Sequence, residues 1–164
     1  MDPLKQALEL LPHGPEFRFL DRLVSLEPGQ RGSGEYTVRG DESFLHGHFP
    51  GRPLFPGVLL VEAAAQLAGT VAQSDPLLMP LPGLKLTALR SVKILGTARP
   101  GEVIHLEARI TGRMGNLVQA EGTARVNGEP RSSRGNGSCE RKGGDARRVD
   151  AQRRSSGDSG GVRV

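Results

Sequence analysis

The run GVLLVEAAAQLAGTVAQ, Gly57 to Gln73, constrains this chain more than any other segment. It is apolar on nearly every side, the pattern of a helix buried in a core rather than laid on a surface. Its exceptions are ordered: Glu62, Gln66 and Thr70 recur every four positions and so share one narrow line on the helix. A buried carboxylate without a partner is costly, so that line has to face something polar. The remainder of the chain must fold around this helix while leaving the line a polar neighbourhood.

Directly before it, Phe44 to Pro56 packs three prolines and two glycines into thirteen residues, too many breakers for a regular element. This shaped loop carries His48, fourteen positions ahead of Glu62. Burial disfavours the charged form of a carboxyl group, so Glu62 is expected to hold a proton and act as a general acid, with His48 as the complementary base. The first backbone amides of the helix, near Gly57, lack intrahelical partners and suit the negative charge that builds on a carbonyl oxygen when the adjacent carbon loses a proton. A base, an acid and an oxyanion donor suffice for a β-elimination. A lone loop histidine is more often a structural cap; the carboxylate in the following helix favours the catalytic reading. Gln66 is expected to brace Glu62 or nearby backbone rather than react. His46, His48 and Glu62 offer three zinc ligands on paper, but an isolated H-x-H in a proline-rich loop is weak, and neither a metal nor another cofactor is expected.

Elsewhere, Leu4, Ala7, Leu8 and Leu11 have helical spacing, and the Pro12 to Pro15 stretch stops that helix. Phe17 to Leu26 and Gly34 to Arg39 flank the turn signal EPGQRG and read as a strand pair. Leu84 to Leu95, Glu102 to Thr111 and Leu117 to Val126 read as further strands, the last two with clean alternation. Asn127-Gly128 is a strong hairpin signal, yet no apolar partner strand follows. Residues 131–164 are a basic, Gly/Ser/Arg-rich, low-complexity tail, expected to be disordered. A hairpin signal running into such composition is a conflict between local and global levels, the mark of a shifted reading frame that replaced the last strand.

Charge is divided the same way. Residues 1–130 hold 13 Lys+Arg against 14 Asp+Glu, whereas residues 131–164 hold 9 against 4, so all of the net +4 comes from the tail. The folded part carries no nucleic-acid signature. His13 and His105 read as surface or structural residues. The single cysteine, Cys139, excludes an internal disulfide and fits a reducing, cytoplasmic setting. The N-terminus lacks the order of a signal peptide, and the most apolar stretch is interrupted by Glu62 and Gln66, so no membrane span is expected.

Gly47 to Val58 fit the pattern G-H-F-P-G-x-P-x-x-P-G-V, and Glu62 to Gln66 fit E-A-x-A-Q. On these residues the sequence resembles the bacterial 3-hydroxyacyl-ACP dehydratases of fatty-acid synthesis. A weaker likeness, in LPH, a later DR, EPG and RPGEVIHLE, extends over residues 10–130. The resemblance implies an α+β hot-dog fold, an antiparallel sheet wrapped around a long buried central helix, over residues 1–130. It implies that His48 abstracts the C2 proton, that Glu62 protonates the departing C3 hydroxyl, and that the Gly57 amide binds the thioester oxygen. Phe49, Phe55 and Val58 are expected on the acyl tunnel. The implied partners are acyl carrier protein and a second copy of the chain, as a homodimer or a trimer of dimers, because one site takes its His and Glu from different subunits. Arg52, Arg90, Lys93 and Arg99 are candidates to meet the carrier or its phosphopantetheine. Rival readings are an acyl thioesterase, an enoyl-CoA hydratase, and an inactive acyl-carrier-binding module.

Overall fold

The computed structural model describes residues 2–127 and 161–163. Helix α1 (Pro3–Glu9) opens the chain, its N-terminus capped by the Asp2 side chain on the Leu4 N–H. Strands β1 (Arg22–Glu27) and β2 (Arg31–Thr37) form a hairpin, helix α2 spans Gly57–Gln73, and β3 (Lys93–Ile94), β4 (Val103–Met114), β5 (Leu117–Asn127) and β6 (Gly161–Arg163) complete one sheet in the order β1-β2-β4-β5-β6-β3. Every pairing is antiparallel. This is the α+β hot-dog arrangement, with α2 packed against β2, β4 and β5.

Alternation decides which face of the sheet meets the helix. In β4, Ile104, Leu106 and Ala108 are buried while Glu107 and Arg109 are exposed. From α2, Leu60, Leu67 and Val71 enter the same core. At one end Phe19, Tyr36, Phe44 and Phe55 pack mostly edge to face, with centroids 5.5–5.9 Å apart. Gly34 sits where the sheet and the preceding segment approach closely: a Cβ there would lie 2.4 Å from Leu20 Cδ1 and 2.8 Å from the Arg22 carbonyl oxygen.

Three expectations are corrected. The first strand begins at Arg22 rather than Phe17, because Pro15–Phe17 forms a 3₁₀ turn and the backbone of Phe17 and Phe19 bonds to the Gln66 side chain. The strand expected over Leu84 to Leu95 shrinks to Lys93–Ile94. A strand needs a ladder partner, and residues 84–92 find none among the described residues, although their apolar alternation is real. Finally, the tail contributes a strand: Gly161–Arg163 lies between β5 and β3, pairing Ala124 with Val162 and Val162 with Ile94. Ladder bonds are made by backbone groups, so a segment without apolar alternation can still pair with an edge. The Gly128 turn and the remaining tail, where the shifted reading frame was inferred, lie outside the described residues. No helix among the described residues is long and apolar enough to cross a membrane.

Candidate active site

The loop that carries His48 is held at both ends. Upstream, Glu42 accepts hydrogen bonds from the Arg39 and Gly40 N–H groups (2.8 and 2.7 Å) and from the buried Tyr36 hydroxyl (2.9 Å). Burial alone would raise the Glu42 pKa, but these donors together hold it below the usual carboxylate value. Burial, reinforced by the Glu42 hydrogen bond and charge, pushes the Tyr36 hydroxyl far above its ordinary value, so it remains a donor. Downstream, the Phe55 N–H donates to the Ala98 carbonyl at 2.7 Å.

Between these anchors the chain turns sharply. Phe49 has a φ of 60°, a left-handed conformation costly for a non-glycine residue, of the kind that concentrates at functional sites. Half-buried His48 rests with its ring across Phe49, centroids 4.6 Å apart. Its Nδ1 lies 2.7 Å from the Leu54 carbonyl oxygen. A carbonyl only accepts, so Nδ1 carries the proton, and Nε2 is left with the lone pair that a general base needs.

Pro56 caps α2, and the first helical backbone bond runs from the Leu59 N–H to the Pro56 carbonyl, so the amides of Gly57 and Val58 precede the hydrogen-bonded ladder. Ile94 packs onto Gly57 so closely that a Cβ there would lie 2.9 Å from its Cδ1. A side chain at this position would displace either β3 or the helix start.

Further along α2, Gln66 and Thr70 are buried, whereas the Glu62 side chain keeps 23% of its surface exposed. The expectation of a buried Glu62 is thus corrected for the single chain: its carboxylate borders a cavity of about 1500 Å³ between α2, the 79–91 segment and β5. Gln66 is the brace of the region. Its Oε1 accepts the Phe19 N–H (2.9 Å), and its Nε2 donates to the Phe17 carbonyl (2.8 Å) and to Glu62 Oε1 (3.1 Å). The polar line therefore faces partly backbone and partly cavity.

The structure separates the two principal candidates. Glu62 lines the cavity; His48, Gly57, Phe49, Phe55 and Val58 do not. No hydrogen bond or ion pair joins His48 to Glu62 among the described residues. The residue beside Glu62 is instead His13, with Nε2 3.4 Å from Oε1. Sequence reasoning placed His13 on the surface or in a structural bond; its distance along the chain hid the contact, and only the LPH likeness marked it. His105 is a structural partner of Glu35, at 3.2 Å. Phe55, expected on the tunnel, is fully buried in the aromatic core, with protein rings on its sides. Phe49 and Val58 are exposed, as are Arg52, Arg90, Lys93 and Arg99, and Arg90 borders the cavity.

Residues 11–130 match the family model of the FabA-like domain. The chain is 38% identical over 128 residues to a protein of Clostridium acetobutylicum named 3-hydroxyacyl-[acyl-carrier-protein] dehydratase FabZ, covering 77% of this chain and 89% of the relative. It is 37% identical over 132 residues to the protein of that name from Natranaerobius thermophilus, covering 79% and 90%. Among solved structures, zebra fish thioesterase superfamily member 2 superposes with a TM-score of 0.50 over 76% of this chain and 83% of that one, at 13% identity, a likeness of fold alone.

Proposed function

The chain belongs to the FabA-like family, and from that premise we propose that it is a 3-hydroxyacyl-ACP dehydratase of fatty-acid synthesis, a hydro-lyase that converts (3R)-3-hydroxyacyl thioesters to trans-2-enoyl thioesters. The observation that carries this reading is the kinship with curated dehydratases over nearly their whole length; the motif through His48 and Glu62, by which the sequence resembles that family, supports it.

In the reaction, His48 Nε2 takes the C2 proton and the C2–H electron pair forms the new double bond. The C3–O bond breaks, Glu62 supplies the proton, and water leaves. The Gly57 N–H holds the thioester oxygen while negative charge resides there. Each acid-base group contributes about 10²- to 10⁴-fold, which suits an elimination needing no cofactor. The Leu54 carbonyl supports this assignment by fixing the His48 tautomer.

His48 of one protomer works with Glu62 of another, so the active unit is a homodimer or a trimer of dimers. Their separation within one chain supports that arrangement. The 79–91 segment, open on the cavity and without a strand partner among the described residues, is where the second copy completes the enclosure. Acyl carrier protein presents the substrate through its phosphopantetheine, met by Arg52, Arg90, Lys93 or Arg99. Residues 1–130 carry the dehydratase site, and the protein acts in the cytoplasm.

The test is turnover of 3-hydroxybutyryl-ACP to the enoyl thioester, with His48→Ala and Glu62→Gln variants checked for folding. Loss of turnover in both supports the reading. Release of free acid and thiol would replace it with a thioesterase, strong preference for CoA substrates with a CoA hydratase, and a folded but inert protein with a carrier-binding module.

A further inference from the structure

We propose that His13 is a positioning residue for Glu62, holding one carboxyl oxygen so that the other alone delivers the proton; this rests on the dehydratase reading above. His13 follows α1 in the Leu11-Pro12-His13 turn, and its carbonyl accepts from Arg18 Nη2 at 3.2 Å, which fixes the backbone. Its ring leans on Phe17, centroids 6.0 Å apart, and both line the Glu62 cavity. The contact of Nε2 with Glu62 Oε1, 3.4 Å, is longer than an ordinary hydrogen bond. Acid-base contacts are often long before substrate binds and tighten in the complex.

The second nitrogen settles the tautomer. His13 Nδ1 is buried and has no hydrogen-bond partner among the described residues. A buried N–H without an acceptor is rarer than a buried lone pair without a donor, so the proton belongs on Nε2, the nitrogen that faces the carboxyl group. Gln66 Nε2 approaches the same Oε1 at 3.1 Å and can only donate. Two donors thus converge on Oε1, an oxygen that must then accept from both. Oε2 has no protein partner among the described residues. A protonated Glu62 carries its hydrogen on Oε2, the only oxygen not already accepting, and the proton needed at C3 is pre-aimed. Without His13, the carboxyl group can rotate or place its proton on the wrong oxygen.

The test compares the wild-type dimer with His13→Phe, which keeps a ring against Phe17 but no donor, and His13→Gln, whose Nε2 reaches a similar point. We expect kcat for 3-hydroxybutyryl-ACP to fall about tenfold in His13→Phe, with KM nearly unchanged, and to recover largely in His13→Gln. In a Glu62→Asp background, whose shorter side chain draws its carboxyl group away from His13 but can still donate a proton, His13→Phe should remove little further, because it acts through that contact. Wild-type kcat in His13→Phe, or an equal loss in both backgrounds, overturns the proposal. Long-range ¹H–¹⁵N spectra of ¹⁵N-histidine-labelled wild-type protein supply a reading that needs neither turnover nor the variants: the Nε2–H tautomer of His13 is expected, and an Nδ1–H or doubly protonated ring overturns the proposal. Absent wild-type turnover would count against the dehydratase reading, while the spectra would still decide the contact.

Discussion

Replacing Gln66 by Leu should cost far more than the loss of one side-chain contact. The amide group satisfies a buried backbone N–H at Phe19 and a part-buried carbonyl at Phe17, and a leucine of similar length leaves both without partners. An unsatisfied buried group costs about 1–3 kcal/mol. Taking about 2 kcal/mol for the buried N–H and about 1 kcal/mol for the carbonyl, which water can partly reach, the variant should lose about 3 kcal/mol. That corresponds to roughly a hundredfold shift in the unfolding equilibrium. Urea denaturation at fixed protein concentration measures it, because association adds to the stability of an oligomer by mass action. Amide exchange at Phe19 should accelerate along with it. A loss below about 0.5 kcal/mol, the range of ordinary surface substitutions, would refute the bracing role of Gln66.

Other consequences of the fold can be checked separately. Gly34→Ala places a methyl group against Leu20 and, less yieldingly, against the Arg22 carbonyl, so it should destabilise by about 1–3 kcal/mol in the same urea assay. Because the folded-state pKa of Glu42 is depressed, its contribution to stability is present above the ordinary carboxylate pKa of about 4.3 and is lost as pH falls through the lower folded value; Glu42→Gln should flatten the acid limb of a stability–pH curve below about pH 4.5. Deleting residues 161–164 removes the strand shared by β5 and β3, and amide exchange at Thr123 to Arg125 should speed up relative to the β2–β4 ladder.

The central helix was fully legible in the sequence because its signal is local: an apolar run bounded by Pro56 on one side and a polar Ser74 on the other. Strands β4 and β5 were legible for the same reason, each showing period-two alternation against one helix. Residues 84–92 have a looser apolar alternation and no ladder partner among the described residues, and periodicity reports which face is apolar, not whether a partner exists. Phe17 to Leu26 was overextended because a single side chain, Gln66, takes the place of a neighbouring strand over its first residues. At the site, the motif singled out His48, Gly57, Glu62 and Gln66. The His13–Glu62 contact was not legible, since it joins residues 49 positions apart through the packing of α1 and the 13–19 segment on α2. Phe55 was misplaced because its motif position says nothing about which way its ring turns; the rings of Phe19, Tyr36 and Phe44 draw it into the core.

The sharpest test is to mix the His48→Ala and Glu62→Gln proteins under conditions where protomers exchange, with exchange verified by native mass spectrometry. If each site draws its base from one protomer and its acid from the other, every mixed dimer contains one doubly altered site and one intact site. Statistical mixing should then restore about a quarter of wild-type dehydration from two proteins that are each inactive. No recovery despite demonstrated exchange would contradict the account, because it would mean that His48 and Glu62 do not form one acid-base pair across the dimer.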